Sequence, residues 1–282
     1  MRTVAIIGAG DIGGACAHAL AARDHVSQIL VIDTAANAAS GKALDIRQSG
    51  VMTGFHTRLD GTDDRSRATG CAVCVIADRF GTGSPEWQGE EGLAMIKQLA
   101  PACDDAPLVF AGVRQGDLIA ASVREARVER RRVIGTAPEA LGAAIAAIIA
   151  MEAGCSPDEV SLAVLGSPPA SFVVPWSSAS IGGYALDRAL SQVQLARIEG
   201  RAARLWPPGP YALGAAAARA VEGILDSSRR SYNVLTVLSG EFGVRDRVGT
   251  VPALLASRGI VHTRIPSLNT REQVQLDTAL SV

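Results

Sequence analysis

The sequence predicts an α/β protein: a doubly wound parallel sheet followed by an α+β unit. Three observations carry that expectation. Short apolar strands alternate with helices through the first half, a glycine-rich turn joins the first strand to the first helix, and the alternation stops near residue 137. Alternation of this kind argues for a parallel sheet covered on both faces. Right-handed crossovers then make the sheet doubly wound.

Taken in order, strand Val4–Ile7 leads into helix Ile12–Ala22, strand Gln28–Ile32 into helix Ala36–Gln48, and a strand follows near Phe55–Leu59. Strand Cys71–Ala77 precedes a loop, Arg79–Gly89, and helix Glu90–Ala100; strand Leu108–Ala111 precedes helix Asp117–Val128; Arg132–Ile134 closes the series. Beyond it come an alanine-rich helix, Pro138–Met151, and a hairpin-like pair, Val160–Leu165 and Ser171–Trp176. Helices Asp187–Leu205 and Tyr211–Leu225 follow, separated by Trp206-Pro207-Pro208-Gly209-Pro210, whose prolines cannot continue a helix. An antiparallel set (Ser231–Leu238, Glu241–Val244, Arg247–Leu255, Gly259–Ile265) and a last helix, Asn269–Leu280, end the chain. Residues 1–137 and 138–282 are the expected domains, joined without a flexible tether.

Composition narrows the function. The 282 residues carry 27 basic and 28 acidic side chains, a net charge of −1, which gives no electrostatic argument for nucleic acid or an anionic membrane. The chain opens on a strand, so no signal peptide is expected, and no apolar run reaches the roughly 18–20 residues of a membrane span. Five cysteines at scattered spacings suit a reduced, cytoplasmic setting. Cys71-Ala72-Val73-Cys74 matches C-x-x-C, but residues three apart on a strand point to opposite faces, so the pair reads as core and no metal site is expected.

Gly8-Ala9-Gly10-Asp11-Ile12-Gly13 fits G-x-G-x-x-G between a strand and a helix. Gly8 permits the tight turn, Gly10 lets the backbone approach a pyrophosphate, and Gly13 lets helix and strand pack closely. Asp11 and Ile12 open a helix whose N-terminus offers free N–H groups to phosphates. Asp33, twenty residues beyond Gly13, ends the second strand, where a carboxylate accepts from a ribose and repels a 2′-phosphate. The expected cofactor is therefore NAD. The competing reading is a glycine turn that no longer binds nucleotide.

With these motifs the chain resembles the lactate/malate dehydrogenase family. The resemblance extends through Gly41-Lys42-Ala43-Leu44-Asp45-Ile46, Arg132-Val133-Ile134-Gly135-Thr136, Val164-Leu165-Gly166, Val173-Val174-Pro175-Trp176-Ser177, Gly240-Glu241-Phe242-Gly243, Val251-Pro252 and Gly259-Ile260-Val261. It implies a substrate-type second domain, a homo-oligomer and a set of catalytic residues. Such enzymes use a histidine as acid–base group, an aspartate that orients it, and arginines that clamp and polarise the substrate. Here the matching positions hold Pro168 for the histidine, Leu141 for the aspartate, Ala144 for the clamping arginine and Glu86 for the polarising one. Arg79 or Gly81 matches the loop's first arginine, depending on the direction of counting. The family's Asn-Pro becomes Arg114-Gln115, and Asp117 is kept.

A proline cannot shuttle a proton, and losing a positioned acid–base group forfeits about 10²–10⁴ in rate. His18, His25, His56 and His262 fall elsewhere and read as surface or capping residues. The basic run Arg124, Arg127, Arg130, Arg131 and Arg132 reads as a solvated helix end. Arg79 and Arg114 are candidates to face a small anion, and Asp78 a candidate surviving acid–base group. The leading expectation is a family member that binds NAD without normal 2-hydroxy acid dehydrogenase activity, a pseudoenzyme. The alternatives are an NAD-dependent oxidoreductase with a different small substrate and a relocated acid–base residue, and a fold-only interaction protein.

Overall fold

A computed structural model describes residues 2–83 and 85–281. The first half runs β1 (Thr3–Ile7), α1 (Asp11–Arg23), β2 (Gln28–Ile32), α2 (Ala36–Thr53), β3 (Arg58–Thr62), β4 (Val73–Ile76), α3 (Gly89–Ala102), β5 (Leu108–Phe110), α4 (Gly116–Arg124) and β6 (Val133–Gly135). All six strands are parallel, in the order β3-β2-β1-β4-β5-β6. This is the doubly wound Rossmann sheet expected from the sequence. The strand order reverses between β1 and β4, and ligands of open α/β sheets bind at such a point, beyond the strands' carboxyl ends.

Strand period two sorts the core. Val4 and Ile6 face one layer, with Cys16 and Leu20 of α1; Ala5 and Ile7 face the other, with Ile96 and Leu99 of α3. Both faces are buried, which is why these strands are apolar throughout.

The second half contains α5 (Ala137–Ala153), β7 (Val160–Ser161), β8 (Leu165–Ser167), β9 (Ser171–Val173), β10 (Ser180–Ile181), β11 (Tyr184–Ala185), α6 (Leu186–Ala189), α7 (Gln192–Ala202), α8 (Pro210–Leu225), β12 (Ser231–Ser239), β13 (Arg245–Ala256), β14 (Gly259–Thr263) and α9 (Thr270–Ser281). β12 pairs antiparallel with β6, and β13, β8, β9 and β14 extend the same sheet beyond it. The sheet therefore runs through both halves. Leu213, Ala217 and Val221 of α8 lie in the same apolar layer as the buried residues of α1. The two helices approach closely because Gly214 lacks a side chain: a Cβ there would lie 2.6 Å from Ala15 Cβ and from Cys16 N.

Several expected elements are corrected. The pair Val160–Leu165 and Ser171–Trp176 is not one hairpin: Leu165–Ser167 pairs with Ser171–Val173, while Val160–Ser161 joins β10 and β11 in a separate sheet. Asn233 Oδ1 accepts from Val164 N–H at 2.9 Å, which takes that residue out of a ladder. Asp187–Leu205 is two helices, because Ser191 and Gln194 form a capping box that starts α7 afresh. Glu241–Val244 is a tight turn, with positive φ at Gly240, Phe242 and Gly243. The strand near Phe55–Leu59 starts later, at Arg58, since the Asp24 carboxylate takes the N–H groups of His56 and Thr57. The helix Asp117–Val128 ends at Arg124, and Arg127 is left-handed.

Gly41 supplies a stability prediction. It lies exposed within α2, and a Cβ there meets nothing within 4 Å. Gly41→Ala is expected to stabilise the fold by about 0.5–1 kcal/mol, because alanine loses less backbone freedom on folding. An upward shift of the urea midpoint at constant slope is the readout; a downward shift would contradict it.

Candidate dinucleotide site

The glycine turn sits where β1 ends, beside the end of β4. Gly8 has φ +122°, donates to Ile32 O at 2.7 Å, and would drive a Cβ into the Asp78 carbonyl. Gly10 N–H donates to that carbonyl at 3.0 Å. A Cβ on Gly13 would strike the Gly8 carbonyl, so helix and turn are in contact there. Asp11, Ile12 and Gly13 open α1, as the motif requires.

Asp33 follows β2 and is buried. Its carboxylate accepts from Ala9 N–H at 2.8 Å, Phe80 N–H at 2.9 Å and Ala35 N–H at 3.0 Å. Asp78 follows β4 and is 0% exposed. Its Oδ2 accepts from Ile12 N–H at 3.1 Å and its Oδ1 from Gly13 N–H at 2.9 Å. Burial holds the Asp78 pKa above the usual carboxylate range, against the opposing pull of the Gly13 and Ile12 N–H groups. The glycines, the α1 N-terminus and Asp33 fit a dinucleotide by type and place. Asp78 stands on the same donors.

The loop residues have other partners. Glu86 accepts from Val113 N–H at 3.0 Å and Arg114 N–H at 2.8 Å. Arg79 pairs with Glu91 at 2.8 Å and lies 4.8 Å from the Trp87 ring centroid; Arg114 is exposed. Gln115 is buried and accepts from Gly112 N–H at 2.8 Å.

Pro168 is buried at the turn between β8 and β9, and borders a recess with Asp117, Arg124 and Arg247. Leu141 is buried in an apolar cluster with Ile145, Val164 and Ile198. Ala144 is half-buried on α5. Two residues before Leu141, Glu139 accepts from Asn233 N–H at 2.8 Å; burial raises its pKa, with Asn233 and Arg219 opposing. All four histidines are exposed. His56 meets Asp24 at 3.3 Å and His25 meets Asp226 at 3.9 Å.

Two side-chain expectations change. Cys71 and Cys74 do not point to opposite faces: Cys71 is held in a turn by its N–H bond to Ala68 O, β4 starts only at Val73, and both thiols meet Cys103 in one apolar cluster. Cys71 Sγ lies 3.6 Å from Cys103 Sγ. The basic run is not simply a solvated helix end either. Arg130 bonds Glu241 and Val237 O, and Arg132 donates to Ala106 O at 3.0 Å, because the chain there packs against β12 and the end of α3. Among the described residues there is no metal-binding group of His, Cys, Asp and Glu, and no helix long and apolar enough to cross a membrane.

The place of Asp78 has a signal in the sequence. Once β1 and β4 are neighbours, the residue after one strand must meet the turn after the other. Glu86 and Phe80 offer no comparable signal, since their contacts depend on the path of a loop.

Comparison with known proteins agrees with this geometry. The family described as lactate/malate dehydrogenase, NAD binding domain, matches residues 2–101. A malate dehydrogenase of Cytophaga hutchinsonii is 29% identical over 296 residues, covering 98% of this chain and 94% of that protein. One from Thioalkalivibrio sulfidiphilus is 28% identical, covering 100% and 97%. Among solved structures, the malate dehydrogenase from Salinibacter ruber superposes with a TM-score of 0.86 at 23% identity, over 99% of this chain and 94% of that one. The lactate dehydrogenase from Cryptosporidium parvum gives 0.85 at 22%, over 99% and 95%. At these identities the solved structures establish the fold.

Proposed function

The chain belongs to the lactate/malate dehydrogenase family and its cofactor is NAD; from that premise we propose that it keeps the dinucleotide without the family's ordinary chemistry on 2-hydroxy acids. The observation that carries the reading is the turn Gly166–Ala170. Where the family's histidine is expected, this chain has a buried proline, and the matching aspartate position is a leucine within an apolar cluster. Neither side chain can hold or move a proton. Glu86, at the polarising position, has both oxygens on backbone N–H groups and carries a charge that repels a keto acid.

NAD, when bound, supplies a nicotinamide that accepts or donates hydride. Residues 1–137 would hold it: Gly8, Gly10 and Gly13 keep side chains off the pyrophosphate, the first turn of α1 has the N–H groups a phosphate would take, two of which Asp78 holds in this structure, and Asp33 would accept from ribose. The exposed Arg114 is the group left to meet a small anion. The reading includes a homo-oligomer, by family resemblance, and a cytoplasmic setting that suits five free cysteines.

The test is NADH oxidation with oxaloacetate and with pyruvate, beside NADH binding followed by fluorescence. Turnover is expected to lie at least about 10²–10⁴-fold below that of an intact dehydrogenase. Steady reduction of either keto acid at ordinary enzyme rates would overturn the proposal. Absence of NADH binding would favour the interaction-protein reading instead.

A further inference from the structure

The free donors of a helix's first turn are the groups on which a dinucleotide's pyrophosphate sits in a fold of this type. In this chain the Ile12 and Gly13 N–H groups are taken by the two oxygens of Asp78. The same donors cannot hold a side-chain carboxylate and a phosphate together, and the two anions repel at such range.

We propose that Asp78 is an internal anion that competes with NAD for the N-terminus of α1, so that the dinucleotide binds only when this carboxylate swings away. The proposal rests on the NAD-binding reading above and adds its regulation. Three observations support it. Asp78 is fully buried, so its carboxylate is seated in the turn and not merely near it. The opening that Gly10 leaves for a phosphate is the opening the carboxylate fills: a Cβ on Gly10 would lie 2.5 Å from Asp78 Oδ2. The main chain beneath is fastened by the Gly10 N–H bond to Asp78 O at 3.0 Å, so in this proposal it is the side chain, not the backbone, that moves to clear the site.

Asp33 reinforces the arrangement. Its carboxylate, the expected ribose acceptor, holds Ala9 N–H and also Phe80 N–H, two residues beyond Asp78. The strand end that carries Asp78 is thus tied to the turn from both sides. The bonds on these two acids give the turn its own set of acceptors, which a helix N-terminus otherwise takes from water or ligand.

Calorimetric titration of NADH into the wild type, Asp78→Ala and Asp78→Asn tests the idea. Asparagine keeps the side chain's size but removes its charge, so one variant survives if the cavity left by alanine spoils folding. Both folded variants are expected to bind NADH about tenfold more tightly than the wild type, or better. Equal or weaker binding by the variants would overturn the competition while leaving the NAD reading intact. No binding by any of the three proteins would overturn both. A second readout is the melting temperature: NADH should raise it further in the variants than in the wild type, and an equal rise would count against the proposal.

Discussion

Gly8→Ala is expected to cost about 2–6 kcal/mol of stability and to abolish dinucleotide binding. At φ +122° a side chain is strained, by about 1–3 kcal/mol. The added Cβ would also meet the carbonyl of Asp78, a backbone atom that cannot turn aside as a side chain can. Forcing atoms into a packed site costs about 1–3 kcal/mol more. The sum is a large part of the total of about 5–15 kcal/mol that holds a domain folded. Denaturant unfolding measures the first effect and NADH titration the second. A loss below about 1 kcal/mol would mean that the turn relaxes, and that its contact with Asp78 matters less than the geometry indicates.

Gly214→Leu is expected to destabilise by about 3 kcal/mol and to weaken nucleotide binding from a distance. The new Cβ would arrive 2.6 Å from Ala15 Cβ and Cys16 N, so α8 and α1 must separate. Since α1 carries the donors at its N-terminus, its displacement disturbs the turn although Gly214 touches no ligand-binding group. Thermal unfolding together with NADH affinity checks this. A stable variant with unchanged affinity would show that the seam yields without moving α1.

The turn, Asp33 and the parallel half are legible in the sequence because each rests on local rules: strand, glycine spacing and helix start fall within residues 3–23. Pro168, Leu141 and Ala144 are assigned by motif, and the structure adds that the first two are buried. What the sequence does not show depends on distant parts of the chain. Asp78 meets Ile12 and Gly13 across 65–66 residues, a contact that follows only once β1 and β4 are known to be neighbours. The Cys71–Cys103 contact spans 32 positions and depends on where β4 begins. The break at Leu190–Ser191 is the exception, since the Ser-x-x-Gln box that causes it is local and a stretch of helical periodicity on either side conceals it.

The pairing of β6 with β12 has a consequence for any attempt to isolate the nucleotide half. Gly135 lies opposite Leu235, and Thr236 Oγ1 donates to Val133 O at 2.9 Å. A chain cut at residue 137 would leave β6 as a bare edge, a template on which other strands add. The first half would then be a fragment with an adhesive rim, which the rest of the polypeptide normally seals.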